Sequence, residues 1–340
     1  MTLPDFFIIG VPKAGTTALH AALANHRELL LSKVKEPKYF LCDDQRPRRE
    51  NGPGDAHSRK EWIWRRDRYE ALFDGPRGLL RGESTPFYLY DTAAQRRIAR
   101  LLPAARLIVV VRDPVDRAYS NWLHLWSDGL EPVSDFRRAC ELEDERIRAG
   151  WGRFWHYRRV GLYGNQLERL LESFPRQQIH VLRYRDVVET PAHAVDEVCA
   201  FLGVTQGTVH EVPAENTRGY VDWSTRSPLL RSTLRVGASA GAWFPPQVWR
   251  KASAPLLRSL QRQSAPRPEV APEDRRRLVE FFEADIKKFG ALLGRDFSDW
   301  LGDHGAGEFS VRKASPGRSH AVGPTACVKR PWLPSGRQAS

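Results

Sequence analysis

Four short apolar runs stand out along the chain: Phe6 to Ile9, Leu29 to Leu31, Leu107 to Val111 and Ile179 to Leu182. Each has strand length, lacks polar interruption and leads through a loop into a segment of helical period, as strands covered on both faces do. The helix-period segments are Thr17 to Asn25, Tyr90 to Leu102, Asp116 to Trp126, Tyr163 to Ser173 and Ala192 to Leu202, the last closed by Gly203 at its C′ position. A further helix opens at Pro272-Glu273-Asp274 and carries Phe281, Phe282, Ile286 and Phe289. Alternating strands and helices predict an α/β fold with a central parallel sheet flanked by helices.

The pattern fails in three places. Asp43 to Lys60 mixes Arg, Pro, Gly and Asp without a period, which predicts a long surface loop bordering the site. Residues 213–270 loosen into Trp-, Arg- and Pro-containing stretches, a variable acceptor or lid region. From 302 to 340 the chain is poor in apolar residues and rich in Gly, Ser, Pro and Arg, which predicts a disordered basic tail after a single domain over 1–301.

Composition narrows the class. The chain has 340 residues, 41% of them hydrophobic, so it can bury a large core. Fifty-three Lys and Arg against 41 Asp and Glu leave a formal charge of +12, which favours an anionic partner. The basic residues are dispersed and carry no nucleic-acid motif, so a nucleic-acid-binding module is the weaker alternative. Four cysteines without a CxxC pair argue against a zinc knuckle or disulfide framework. No apolar run reaches the roughly 18 to 20 residues of a membrane span, and no leader of signal-peptide type precedes Phe6. The expectation is a cytoplasmic protein with reduced thiols.

Chemistry concentrates after two of the strands. Gly10-Val11-Pro12-Lys13-Ala14-Gly15-Thr16-Thr17 joins the first strand to a helix, presenting backbone N–H groups, two hydroxyls and the positive helix end to an anion. The glycine spacing is that of a Walker loop, yet Thr16 stands where that loop has Lys, and the lysine has moved back to Lys13. Arg112, rather than an aspartate, follows Leu107 to Val111, so magnesium-dependent phosphoryl transfer of kinase type is disfavoured and kept as an alternative. In open α/β sheets ligands bind beyond the carboxyl ends of the strands, so Lys13 and Arg112 should face one crevice and hold two anionic groups of one ligand. Ser120, early in the next helix, adds a hydroxyl; Arg117 is expected to pair with Asp113 or Asp116 and to stay out of the site.

These residues resemble a family. Val11 to Thr17 is similar to the 5′-phosphosulfate loop of sulfotransferases that use 3′-phosphoadenosine 5′-phosphosulfate (PAPS), and Arg112 to Ser120 to their 3′-phosphate motif. Lys35-Glu36-Pro37-Lys38-Tyr39-Phe40 and Gly82-Glu83-Ser84-Thr85-Pro86-Phe87-Tyr88 resemble segments of the heparan-sulfate and bacterial carbohydrate-type branch. Gly161 to Leu167, Val181 to Asp186 and Gly294 to Trp300 extend the likeness over about residues 5–301.

The resemblance implies a P-loop-like three-layer sandwich and sulfuryl transfer from PAPS, without metal, leaving adenosine 3′,5′-bisphosphate. It implies that Lys13, Ala14, Gly15, Thr16 and Thr17 bind the 5′-phosphosulfate and that Arg112 and Ser120 bind the 3′-phosphate. Glu36 falls where this branch has its catalytic base, and Lys13 would follow the leaving oxygen. Lys38, where relatives carry His, is assigned to the sulfonate or acceptor; Ser84, which stands where heparan-type relatives often have Lys, is counted with it among the substrate-binding residues, without a cationic role. His124, one turn beyond Ser120, either lines the crevice or packs at the surface, and Arg218 either closes over the nucleotide as a lid or belongs to a solvated loop. The expected acceptor is a hydroxyl- or amine-bearing sugar, glycolipid or small metabolite. Trp62, Trp64, Trp122, Trp126, Trp151 and Trp155 are walls for it or parts of the core.

Overall fold

The computed structural model describes residues 2–42, 44–47, 50–53, 62–209 and 268–302. Its centre is a sheet of five parallel strands, β1 (Phe6–Gly10), β2 (Leu29–Leu31), β3 (Leu80–Ser84), β4 (Arg106–Val111) and β5 (Ile179–Arg183), in the order β2-β3-β1-β4-β5. Four of these are the apolar runs of the sequence. The fifth, β3, has no apolar run: Leu80-Arg81-Gly82-Glu83-Ser84 pairs with β1 from Phe6↔Gly82 to Ile8↔Ser84. Burial of Glu83 and Ser84 hides this strand from a hydrophobicity pattern, and hydroxyl partners compensate for it. Gly82 is required by its partner, because a Cβ there would lie 2.1 Å from the ring of Phe6.

Ten helices are described: α1 (Thr16–Ala24), α2 (Arg66–Glu70), α3 (Thr92–Leu101), α4 (Pro114–Ser127), α5 (Phe136–Glu141), α6 (Glu143–Arg148), α7 (Tyr163–Leu171), α8 (Tyr184–Glu189), α9 (Pro191–Leu202) and α10 (Pro272–Leu293). Contacts join α1 to α9 and α9 to α8, and α10 to α7 and α4, with α3 also against α7, forming the two layers around the sheet. Helix α4 starts two residues before the predicted Asp116: Asp113 Oδ1 accepts the N–H groups of Val115 and Asp116 as its N-cap, and Pro114 takes a first-turn position where no N–H is needed. Helix α9 ends as predicted at its glycine, Gly203 at φ 70°, and α10 ends in the same left-handed manner at Gly294, φ 62°.

The connection after β1 runs towards β2 and β3, whereas the connection after β4 runs towards β5. The carboxyl ends of β1 and β4 therefore border the crevice where the winding direction changes. Cys42, Cys140 and Cys199 are buried free thiols. Residues 210–267, which hold Arg218 and most of the variable region, and the tail from 303 on, with Cys327, lie outside the described residues. No described helix is long and apolar enough to cross a membrane.

Candidate functional site

The loop after β1 is shaped by left-handed backbone. Lys13 has φ 70° and Gly15, the N-cap of α1, has φ 79°. A side chain at Gly15 would be strained and would also meet the ring of Tyr184 at 3.1 Å. No side chain caps α1 and no acidic residue lies in its first turn, so its leading N–H groups and positive end remain available to an anion. Ala14 and Thr16 are buried, while Lys13 and Thr17 are half-exposed at the mouth of the crevice.

Arg112 joins this loop as the sequence predicts. Its Nη1 donates to the carbonyl of Lys13 at 3.3 Å, and its guanidinium lies 4.5 Å from the centre of the Tyr184 ring. Tyr184, within the Val181 to Asp186 segment, thus packs against both anion-binding elements. Behind Arg112, Tyr163 Oη donates to its carbonyl at 2.9 Å. Arg275 of α10 reaches Asp113 at 2.6 Å and Asp116 at 3.0 Å, locking the start of α4. Both aspartates are therefore taken by a residue 159 or more positions away, and the expected partner Arg117 is instead fully buried and donates through Nη2 to the carbonyl of Tyr157. Ser120 lies buried two turns into α4.

The second side of the crevice is the segment between β2 and the single 3-10 turn Tyr39–Leu41, held against the end of β3. Glu36 N–H donates to the Ser84 carbonyl at 2.9 Å, Lys38 N–H to Thr85 Oγ1 at 3.4 Å and Phe40 N–H to Tyr88 Oη at 3.2 Å. These anchors hold Glu36 at φ 60° and Lys38 at φ 61°, conformations costing on the order of 1–3 kcal/mol each for residues with a Cβ. Such strain gathers at functional sites, and here it falls on two residues that the sequence had already marked.

Glu36 is about one-quarter exposed, and its Oε1 accepts from Lys35 Nζ at 2.7 Å. Burial opposes its charge, but the ammonium groups of Lys35 and Lys38 together with the Lys35 hydrogen bond prevail and hold its carboxyl below the usual range. Lys38 is buried, with Nζ 5.3 Å from the ring centre of Trp62. Trp62 and Trp155 line a pocket with Lys38, Phe87 and Phe154, whereas Trp122 and Trp126 stack on each other in the core.

Beneath this segment lies a carboxyl that sequence reasoning passed over. Glu83 is fully buried, accepts from Thr85 Oγ1 at 2.6 Å and from Tyr69 Oη, and has its pKa raised from 4.5 to about 7 by burial, against these hydroxyl hydrogen bonds. Two carboxyls near one another are thus driven apart, Glu36 towards its anion and Glu83 towards its acid. His20 was also missed. On α1 it lies four residues after Thr16, and its Nδ1 is 2.7 Å from Ser84 Oγ. Burial and the nearby Lys35 lower its pKa to about 4. The helical spacing from Thr16 was the available signal.

His124 has Asp128 on its own helix as a partner, Nε2 to Oδ2 3.8 Å. Among the described residues no group of three or more His, Cys, Asp or Glu side chains could hold a metal ion.

Residues 3–220 match the family model described as a sulfotransferase domain. The chain is 33% identical over 213 residues to the mouse (Mus musculus) bifunctional heparan sulfate N-deacetylase/N-sulfotransferase 3, covering 60% of this chain and 22% of that protein. It is 28% identical over 306 residues to the mouse heparan sulfate glucosamine 3-O-sulfotransferase 3A1, covering 88% and 65%. The chain therefore spans less than two thirds of the length of these curated relatives. The crystal structure of a sulfotransferase from Alicyclobacillus acidocaldarius superposes with a TM-score of 0.68 at 31% identity, covering 88% of this chain and 99% of that one.

Proposed function

The chain belongs to the sulfotransferase family, and from that premise we propose that it transfers a sulfuryl group from PAPS to a hydroxyl or amine of a carbohydrate, glycolipid or small-metabolite acceptor. The observation that carries this reading is the meeting of two anion-binding elements, the Lys13 loop and Arg112, beside an ionised, strained Glu36. Two such elements suit a nucleotide that carries two separate phosphate groups on its ribose. The uncapped start of α1 and the side-chain-free surface of Gly15 fit a phosphosulfate group, and Arg112 with Ser120 fits a 3′-phosphate.

PAPS supplies the activated sulfuryl group and leaves as adenosine 3′,5′-bisphosphate. Lys13 and the first-turn N–H groups of α1 neutralise the charge that develops on the leaving oxygen, and a fixed cation of this kind acts without reorganising during the reaction. Glu36 accepts the acceptor's proton. One of its oxygens is occupied by Lys35, which leaves the other free to receive that proton and fixes the carboxylate plane. The low pKa keeps Glu36 ready but makes it a weak base towards an alkyl hydroxyl, so proton transfer comes late, after the acceptor oxygen has begun to bond to sulfur. Lys38 and the Trp62 ring beside it form the wall on which the acceptor rests. A carbohydrate acceptor is supported by the relatives, whose names give heparan sulfate glucosamine as their substrate. A nucleotide-binding role for Arg218 and a cytoplasmic location belong to the same proposal.

Calorimetric titration with adenosine 3′,5′-bisphosphate, with AMP and magnesium–ATP as controls, tests the donor assignment. Selective binding of the bisphosphate is expected. Equal binding of all three nucleotides would mean that the two anion sites do not act on one ligand, and would favour a kinase-type enzyme instead.

A further inference from the structure

Ser84 holds two residues at once. Its carbonyl accepts the Glu36 N–H at 2.9 Å, and its hydroxyl lies 2.7 Å from His20 Nδ1. Register places Ser84 beside Ile8 of β1, just before the chain leaves the sheet to form the anion-binding loop. His20 follows Thr16 by four residues and Thr17 by three, so the three side chains share one face of α1. Side chains on a helix lean towards its N-terminus, which tips the half-buried imidazole back towards the loop. His20 therefore stands between the element that would hold the donor's phosphosulfate and the carboxylate that would take the acceptor's proton. In an in-line transfer, that is where the reacting sulfur lies.

We propose that His20 is a neutral hydrogen-bond donor to the transferring sulfuryl group, aimed by the Ser84 hydroxyl. The inference rests on the donor assignment above and adds a contact to it. With the Ser84 hydroxyl 2.7 Å from Nδ1 and donating to it, the ring proton is on Nε2, the edge directed away from Ser84. Burial and Lys35 keep the ring uncharged. A neutral imidazole is suited to this position, since a further full cation beside Lys35 and Lys38 would draw the Glu36 carboxylate still lower and weaken it as a base. The donor N–H stabilises charge on the sulfuryl oxygens and takes no proton; the acceptor's proton goes to Glu36, and the bond from sulfur to the bridging oxygen breaks as the bond to the acceptor forms. At a position where heparan-type relatives often carry Lys, Ser84 thus works through a second side chain.

Calorimetric affinities for PAPS and for adenosine 3′,5′-bisphosphate, measured on the wild type, His20→Leu and His20→Gln, test this. The two ligands differ only in the sulfuryl group. Bisphosphate affinity should be unchanged in all three proteins, PAPS should bind about tenfold more weakly to His20→Leu, and His20→Gln, whose amide N–H reaches the place of Nε2, should recover most of that loss. The same ratio of the two affinities in all three proteins would overturn the contact. Loss of both ligands by His20→Leu would make the ring a structural element and overturn it as well. A wild type that fails to bind the bisphosphate would instead overturn the donor assignment itself. Nitrogen-15 spectra of the imidazole give an independent check: a protonated Nε2 and a bare Nδ1 are expected, and the reverse tautomer would refute the proposal.

Discussion

Replacing Glu83 by Gln should change how stability depends on pH, and by an amount the structure defines. The carboxyl is fully buried among Tyr69, Thr85 and Tyr88, with Glu36 close enough to disfavour a second negative charge. Its pKa stands at about 7 in the fold, against 4.5 for an ordinary glutamate. Between those values the unfolded chain has released the proton while the folded chain still holds it, so stability falls as pH rises, at about 1.4 kcal/mol per pH unit. The accumulated loss is about 3 kcal/mol by pH 7 and stays constant above that. Gln is nearly isosteric, cannot ionise and removes this slope. His20 and His156, whose pKa values burial lowers to about 4, act in the opposite sense, but they are common to both proteins and drop out of the difference. Urea unfolding followed by tryptophan fluorescence at a series of pH values from 4.5 to 8 measures that difference directly. Glu83→Gln should gain about 3 kcal/mol relative to the wild type across this range. A difference that is flat with pH would show that Glu83 is already ionised in the fold and that its hydroxyl partners outweigh burial.

Other expectations follow from the same geometry. Glu36→Gln and Lys13→Ala should each lower turnover of PAPS with a responsive acceptor by at least about 100-fold, the former without loss of bisphosphate affinity; an active Glu36→Gln protein would require a different base. Arg112→Ala should weaken bisphosphate binding by about 10- to 100-fold in calorimetry, while AMP, which lacks the 3′-phosphate, should bind with little change. Arg275→Met leaves Asp113 and Asp116 buried without their cation and should cost about 3–5 kcal/mol in urea unfolding; a loss below 1 kcal/mol would mean that the start of α4 is held by its cap alone.

Much of this molecule was legible in its residues. Unbroken apolar runs identified β1, β2, β4 and β5 because a parallel strand buried on both faces has no polar side to show. The loop from Gly10 to Thr17 and Arg112 can be paired from the sequence, since both follow such strands, and their contact is a consequence of strand order. Polar burial escaped the same reading. Strand β3 shows Arg, Gly, Glu and Ser, and only its position beside β1, with three hydroxyl-bearing side chains around Glu83, makes it a core strand.

The sequence by itself determined the layer class, the anion-binding loop and the identity of Glu36 and Lys38 as candidates, because these depend on local period and on short ordered motifs. Tertiary structure alone decided which groups interact across distance. It joined Arg275 to Asp113 and Asp116, left Arg117 to Tyr157, gave His20 its partner in Ser84, and forced Glu36 and Lys38 into left-handed backbone against β3. Each of these is a hydrogen bond or a strain set by where two remote segments meet, and a buried polar group must find a partner wherever the fold brings one within reach.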